Sequence, residues 1–482
     1  MNNQYKRPLY DKAAAFAGSS PLSFHVPGHK NGVVFPTSSK EHFSSLLPFD
    51  LTELEGLDDL HEPEGIIGEA QDLAADLYGT LSTFFLVGGS TAGNLAMIMS
   101  AFQEGDKVAV QRDAHKSVIN GLRLAKAEPV FISPIYDDKT GLSLGVTIER
   151  IKEAFQSYKG IKGLVLTSPT YYGWAAPLHN IIEYIHEQEG VVLVDEAHGA
   201  HFVYGEPFPV QALDQGADMV VQSAHKTLPA MTMGAFLHVK RSSRLLKKAK
   251  EYTGMLQSSS PSYPIMMSLD IARSYLAILT KEDKQKIKNS LLSFRQELQQ
   301  IEELDIVSPP PGIKDDLLKC TLKAPFSQTG WVFQSFLEKE GVYPELADHR
   351  HVLLVLPLSS DFPWNIAAEK IRKAVKEMAV YKGIQSFRRV WSFPFPPITR
   401  LSFPVKELEN KDVISCPLEE AEGEIAAEDL IPYPPGVPLL LKGEKIDRPR
   451  LDALSAWLKE GGRIQGGTKE TDKSMTLRIY KG

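Results

Sequence analysis

Two short segments carry residue types that could do chemistry together. Val191-Val192-Leu193-Val194 is an apolar run that ends on Asp195 and continues as Glu196-Ala197-His198. A second run, Met219-Val220-Val221, leads into Ser223-Ala224-His225-Lys226-Thr227. Each reads as a buried strand that delivers polar side chains from its end. An ionised carboxylate in such a place is costly unless a cationic partner compensates it. A protonated pyridine ring is one such partner. A lysine shielded from water is more readily a free amine, able to condense with an aldehyde. Asp195 and Lys226 together therefore suit pyridoxal 5'-phosphate (PLP), with the acid at the ring nitrogen and the lysine at the aldehyde. His198 could approach the same ring, while Ser223, His225 and Thr227 could bond the phosphate. Taken singly, Asp195 also suits a helix cap or a magnesium ligand, and Lys226 a surface charge.

Three further segments could complete a cradle. Gly88-Gly89-Ser90-Thr91-Ala92-Gly93-Asn94 follows the strand Phe84–Val87 and opens a helix over Leu95–Phe102. Unpaired N–H groups and the helix dipole at such a turn attract phosphate, and Ser90 and Thr91 add hydroxyl donors. A tight turn with a Ser/Thr cap explains the turn equally well. It is neither GxGxxG nor GxxxxGK[ST], which disfavours a dinucleotide or P-loop site. His115, in Arg112-Asp113-Ala114-His115-Lys116-Ser117, lies just past the strand Lys107–Val110 and could stack on a heteroaromatic ring. A loop histidine bonded to backbone is the plainer reading. Thr167, Ser168 and Thr170, before Gly173, could bond a phenolic oxygen or simply shape a polar turn. The pairs His25/His29 and His198/His201 suggest a metal, but Pro27 and Gly28 break the first and no third ligand joins the second. No metal is expected.

These residues need a scaffold that brings several strand ends to one place. Phe84–Val87, Lys107–Val110, Pro129–Ile132, Gly163–Leu166, Val191–Val194 and Met219–Val221 alternate with helical stretches such as Thr147–Ser157 and Ile181–Glu189. That alternation predicts an α/β fold with a mostly parallel sheet and helices on both faces. Prolines 8, 21, 27, 36 and 48 make residues 1–60 an irregular arm. Residues 61–280 form the large domain. A charged helix over 281–304 and a small α/β domain extend to 384, and the proline-rich remainder, 385–482, is a C-terminal piece. The chain has 482 residues, 43% hydrophobic, with formal net charge −7, which argues against a nucleic-acid or anionic-membrane partner. No apolar run approaches the roughly 20 residues of a membrane span. The N-terminal residues lack the apolar core of a signal peptide, and Cys320 and Cys416 stand far apart. A soluble, cytoplasmic protein is expected.

Taken together the motifs resemble the Orn/Lys/Arg decarboxylase family of PLP-dependent, fold-type I enzymes. The matching segments are Phe24-His25-Val26-Pro27-Gly28-His29-Lys30, Gly56-Leu57-Asp58-Asp59-Leu60-His61, Gly89–Asn94, Asp113–Ser117, Val194–Gly199, Ser223–Thr227, Ser260-Pro261-Ser262-Tyr263-Pro264 and Tyr433-Pro434-Pro435-Gly436. The match is dense over 20–275 and looks like the shorter bacterial form, similar to arginine decarboxylase. Leu441-Lys442-Gly443-Glu444 stands where a Pro-Gly-Glu is common. The resemblance implies that Lys226 binds the aldehyde, Asp195 pairs with the ring nitrogen and His115 stacks on the ring. It implies that Ser90, Thr91, Ser223 and His225 hold the phosphate and that His198 lies near the ring oxygen or substrate, with Ser168 also at the cofactor. It further implies a homodimer or higher homo-oligomer with the site at the interface, where Ser258, Ser259 or Ser260 reaches a neighbour's phosphate.

The activity implied is decarboxylation of a basic amino acid, feeding polyamine metabolism. Arginine is favoured, lysine is next and ornithine third. Another fold-type I reaction would want an arginine for the substrate carboxylate, and Arg350 before the strand Val352–Leu356 is placed for it. An inactive regulatory paralogue is the other alternative. Asp58, Asp59, Glu345, Asp348, Glu428 and Asp429 are the acids that could read a basic side chain, and spacing selects none of them.

Overall fold

The strands that end at Asp195 and Gln222 lie side by side, and this sets everything near Lys226. In the computed structural model Val191–Asp195 pairs in parallel with Met219–Gln222, with Leu193 opposite Met219 and Asp195 opposite Val221. Parallel strands in this register release their following segments at the same sheet edge. The structure describes residues 3–380, 394–433, 436–459, 462–471 and 474–481. The domain boundary expected near 385, and Pro434 and Pro435 of the Tyr433–Gly436 motif, lie outside the described residues. The protein is an α/β protein with a large mixed, mostly parallel sheet, and it divides into two units.

The first unit comprises residues 1–101, 192–206 and 210–282. Its strands run in the order Ser82–Leu86, Ala235–Val239, Met219–Gln222, Val191–Asp195, the first two pairings antiparallel. Phe85 faces Phe236 across the first pairing, and both are fully buried. The helix Gly89–Ala101 begins six residues earlier than expected, because Gly89 makes the turn itself at φ 71°. Small residues let this helix lie close to the sheet. A Cβ on Gly93 would stand 2.6 Å from Leu86 Cδ1 and 2.9 Å from Val221 Cγ1.

The arm is more regular than its prolines suggest. Pro8–Gly18 is an 11-residue helix with Pro8 in its first turn, where a missing N–H costs nothing. No side chain of its own caps it. Instead the buried Asp270, on the helix Tyr263–Ile278, accepts the N–H groups of Leu9 and Tyr10 at 3.1 and 3.3 Å. Arg273 pairs with Asp270 at 2.5 Å and donates to the carbonyls of Gln4 and Lys6. That arrangement was invisible to a local reading, since the capping acid lies some 260 residues downstream.

The second unit comprises residues 102–191, 207–209 and 283–482. Ile161–Thr167, Lys107–Gln111 and Glu128–Ile132 pair in parallel, and Ile398–Arg400 adds an antiparallel edge. Gly163 is obligatory there, because a Cβ would meet the Val191 carbonyl oxygen at 2.4 Å. The helix expected over 281–304 ends at Gln299, ahead of Glu303 in the left-handed region. A small antiparallel sheet orders Asp305–Ile306, Lys319–Lys323, His351–Val355 and Leu346–Ala347, beside the helices Gly330–Lys339 and Trp364–Ala379. Further on, Val413–Pro417, Ser474–Tyr480 and Thr468–Thr471 form a sheet with the helix Arg448–Lys459. Leu418, Leu430, Leu439, Leu454 and Leu477 fill its core. Among the described residues no helix is long and apolar enough to cross a membrane.

Candidate active site

The first unit gathers Asp195, His198, Lys226 and Asn94. Asp195 is 3% exposed, and its two oxygens are separately held. Oδ2 accepts Asn94 Nδ2 at 2.8 Å, and Oδ1 accepts the Ala197 N–H at 3.1 Å. Neutral donors alone do not neutralise a buried carboxylate, so a cation at this position would be strongly bound. Lys226 sits in the single-turn helix Ala224–Thr227, with Nζ 3.1 Å from Nε2 of the buried His198. The parallel register explains the meeting. His198 follows Asp195 by three residues, Lys226 follows Val221 by five, and Asp195 and Val221 are partners.

The hydroxyls around Lys226 fit a phosphate-bearing cofactor on one observation. Ser223 Oγ and Thr227 Oγ1 are buried and have no hydrogen-bond partner among the described residues. Orphaned buried hydroxyls of this kind call for an acceptor, and phosphate oxygens supply it. His225 Nδ1 lies 3.0 Å from the Gly234 carbonyl and donates to it, so a phosphate contact must come from Nε2. Ser90 and Thr91 stand in the first turn of Gly89–Ala101, half-buried and exposed respectively, and the Gly89 N–H itself is taken by the Met233 carbonyl. Ser258, Ser259 and Ser260 are exposed.

His115 and Ser168 belong to the second unit. His115 caps the helix Lys116–Leu124, its Nδ1 accepting the Ser117 N–H at 3.2 Å and lying 2.8 Å from Ser117 Oγ. These bonds hold the ring in an exposed position. Ser168 is buried, and Thr167 Oγ1 is buried with no partner among the described residues. Thr170 Oγ1 instead accepts the Trp174 N–H and closes the turn. Arg350 donates from Nη1 to the Lys139 carbonyl at 3.2 Å.

Arg112 and Glu444 escaped the sequence reading. Arg112, three residues before His115, is 1% exposed. Its Nε and Nη2 donate to the two oxygens of Glu444 at 3.1 and 2.8 Å, and Nη1 and Nη2 to the carbonyls of Pro438 and Leu439. Glu444 also accepts Arg450 Nη1 at 3.0 Å and the Leu441 N–H at 2.9 Å. The signal was present in the chain, since a charged residue directly after an apolar strand needs a partner, but its distance hid which one. The six acids considered for a basic side chain are each engaged. Asp58 caps the helix Ile66–Tyr78 through the N–H groups of Ile67 and Gly68, and Asp59 accepts the His61 N–H. Tyr171 donates to Glu345, Tyr172 to Asp348, the Gly467 N–H to Glu428 and Arg123 to Asp429.

Beside Asp195 a buried polar chain runs through the first unit. Thr80 Oγ1 and Thr83 Oγ1 are 3.0 Å apart, Thr83 Oγ1 and His238 Nδ1 2.8 Å, and His238 Nε2 and Gln222 Oε1 3.1 Å. Gln222 Nε2 then donates to Glu196 Oε2 at 2.7 Å. Burial pushes the Glu196 carboxyl up to about 8, against the pull of its Gln222 and Ala212 donors, and pushes His238 down to about 3. The signs are opposite. Glu196, raised from 4.5, contributes stability fully below about pH 4.5 and loses it as pH rises to about 8. His238, lowered from 6.5, contributes above pH 6.5 and loses it toward pH 3. Of these two groups only Glu196 titrates between pH 6.5 and 8, so the melting temperature of the unmodified protein is expected to fall across that window and Glu196→Gln to flatten the fall. Parallel melting curves across that window would show that Glu196 takes up no proton there.

Residues 7–316 match the family described as Orn/Lys/Arg decarboxylase, major domain, and residues 396–471 match its C-terminal domain. An uncharacterized protein of Bacillus subtilis, YaaO, is 46% identical over 98% of both chains. The arginine decarboxylase of Bacillus anthracis is 32% identical, covering 99% of this chain and 98% of its own. The crystal structure of Francisella novicida lysine decarboxylase superposes with a TM-score of 0.83 at 19% identity, over 98% of this chain and 81% of that one. At that identity the superposition speaks for the fold, which is the fold-type I architecture.

Proposed function

The chain belongs to the Orn/Lys/Arg decarboxylase family, and we propose that within it the preferred substrate is arginine, converted to agmatine and CO₂, with lysine next and ornithine third. It is a PLP-dependent amino-acid decarboxylase acting on basic amino acids. The observation that carries the arginine reading is the 32% identity, over essentially the whole chain, to a protein named arginine decarboxylase. Agmatine would feed polyamine formation in the cytoplasm.

Bound PLP supplies an electron sink for the bonding electrons of Cα–carboxylate as CO₂ leaves. The residues of the chain do the rest. Asp195 would keep a proton on the ring nitrogen, and Asn94 and the Ala197 N–H keep its oxygens in place. Lys226 would hold the cofactor at its aldehyde. His198 Nε2, 3.1 Å from Lys226 Nζ, is within reach to exchange a proton with that amine. One of these two groups returns a proton to Cα. Ser90, Thr91, Ser223 and His225 would anchor the phosphate, and Ser168 and His115 would hold the cofactor in the roles the family resemblance implies.

A homodimer accounts for the arm residues Leu22, Phe24, Val33 and Val34, which are 88, 93, 76 and 63% exposed in one chain. The test is purified protein with PLP, given arginine, lysine and ornithine separately, with CO₂ and amine measured and mass read by light scattering. Agmatine formed at the highest kcat/KM, from a particle of twice 53.4 kDa, is expected. Faster turnover of lysine or ornithine overturns the substrate order, and a keto acid without CO₂ overturns decarboxylation. A protein that stays colourless with PLP points to an inactive paralogue, and a single-chain mass removes the dimer.

A further inference from the structure

The geometry points to Asn94 as the residue that positions the Asp195 carboxylate, carried on a helix that also presents the phosphate turn. This rests on the assignment of Asp195 to the ring nitrogen. Three observations bear on it. Asn94 and Asp195 are 1% and 3% exposed, and Asn94 Nδ2 donates to Asp195 Oδ2 at 2.8 Å. Asn94 stands three and four residues after Thr91 and Ser90 on the helix Gly89–Ala101, the spacing that puts side chains on one helix face. Gly93, next to Asn94, is the point where a Cβ would strike Leu86 and Val221, so only glycine lets the helix come this close to the sheet.

One rigid element thus meets the cofactor's two ends. Its first turn serves the phosphate, and its next turn holds the acid that serves the ring nitrogen. Asp195 needs such a hold because a carboxylate on a short side chain can rotate about χ2. With Oδ2 tied to Asn94 and Oδ1 to the Ala197 N–H, the rotation is fixed before any ring arrives. A carboxylate already oriented loses less freedom when it takes up its partner. Asn94 touches neither substrate nor ring in this reading. It is a positioning residue.

The experiment compares binding of PLP and of its 1-deaza analogue, in which CH replaces the ring nitrogen, to the cofactor-free protein by calorimetry. Asn94→Ala should weaken PLP binding by about 10- to 100-fold, the scale of a lost hydrogen bond to a charged group. It should leave binding of the deaza analogue nearly unchanged, since that analogue offers Asp195 nothing to hold. Asn94→Asp keeps the shape, and its protonated form can still donate to Asp195. Its PLP affinity should therefore follow that of the unmodified protein at low pH and fall toward that of Asn94→Ala as pH rises. Equal weakening of both ligands by Asn94→Ala, or an Asn94→Asp variant that matches Asn94→Ala at every pH, overturns the proposal. Asp195→Ala separates the premise from the inference. If that variant weakens PLP and the analogue alike, the ring-nitrogen assignment itself fails.

Discussion

Lys226→Ala is expected to yield a folded protein that neither releases CO₂ from arginine nor develops the visible absorption of covalently bound PLP. The loss in turnover should be at least ~10⁴-fold, the scale seen when a residue that forms the covalent link is removed. Lys226 is half-buried in a one-turn helix and is not part of the core, so the substitution costs little stability. Lys226→Arg sharpens the test. It keeps a cation near His198 Nε2, but a guanidinium does not give up its proton and cannot condense with an aldehyde. Both variants should therefore be equally inactive. Activity retained by Lys226→Ala would remove the central assignment, and activity retained by Lys226→Arg alone would reduce the lysine to a charge.

Glu444→Ala is expected to destabilise the protein by about 3–5 kcal/mol, the cost of leaving a buried cation without its partner. Two guanidinium groups, Arg112 and Arg450, converge on this one carboxylate, and all three residues are at most 5% exposed. Phe395 lies over the Arg112 guanidinium at 4.5 Å and covers that face of it. Arg112→Met with Glu444→Met should cost less than the two single changes summed, because the double change strands no charge at Arg112, while Arg450 keeps Asp447 at 3.0 Å. Urea unfolding of the four proteins measures this directly. Strict additivity would mean that the two residues stabilise the fold independently.

The candidate site residues that the first unit brings together were legible because they lie close in sequence to strand ends. Asp195 with His198, and Ser223 with His225 and Lys226, each follow an apolar run by a few residues, and the parallel register of the two runs does the assembly. The sheet strands could be read from apolar runs, since burial on both faces leaves no polar alternation to confuse them. What stayed hidden depends on contacts across hundreds of residues. The arm helix Pro8–Gly18 is capped by Asp270, and Arg112 is matched by Glu444. Neither partner can be chosen from local pattern, because many acids would serve equally. The glycine turn was half-read for a different reason. Ser90 to Asn94 looks like a loop by composition, yet its small residues are there to let a helix touch the sheet.

The span between Arg112 and Glu444 also sets an order of events during synthesis. The arginine is made in the first quarter of the chain, and its carboxylate emerges 332 residues later. Until then the guanidinium at the end of the Lys107–Gln111 strand, three residues before His115, lacks the carboxylate that matches it. A ribosome-bound or prematurely terminated chain is therefore expected to carry the His115 loop without the carboxylate that anchors the neighbouring Arg112.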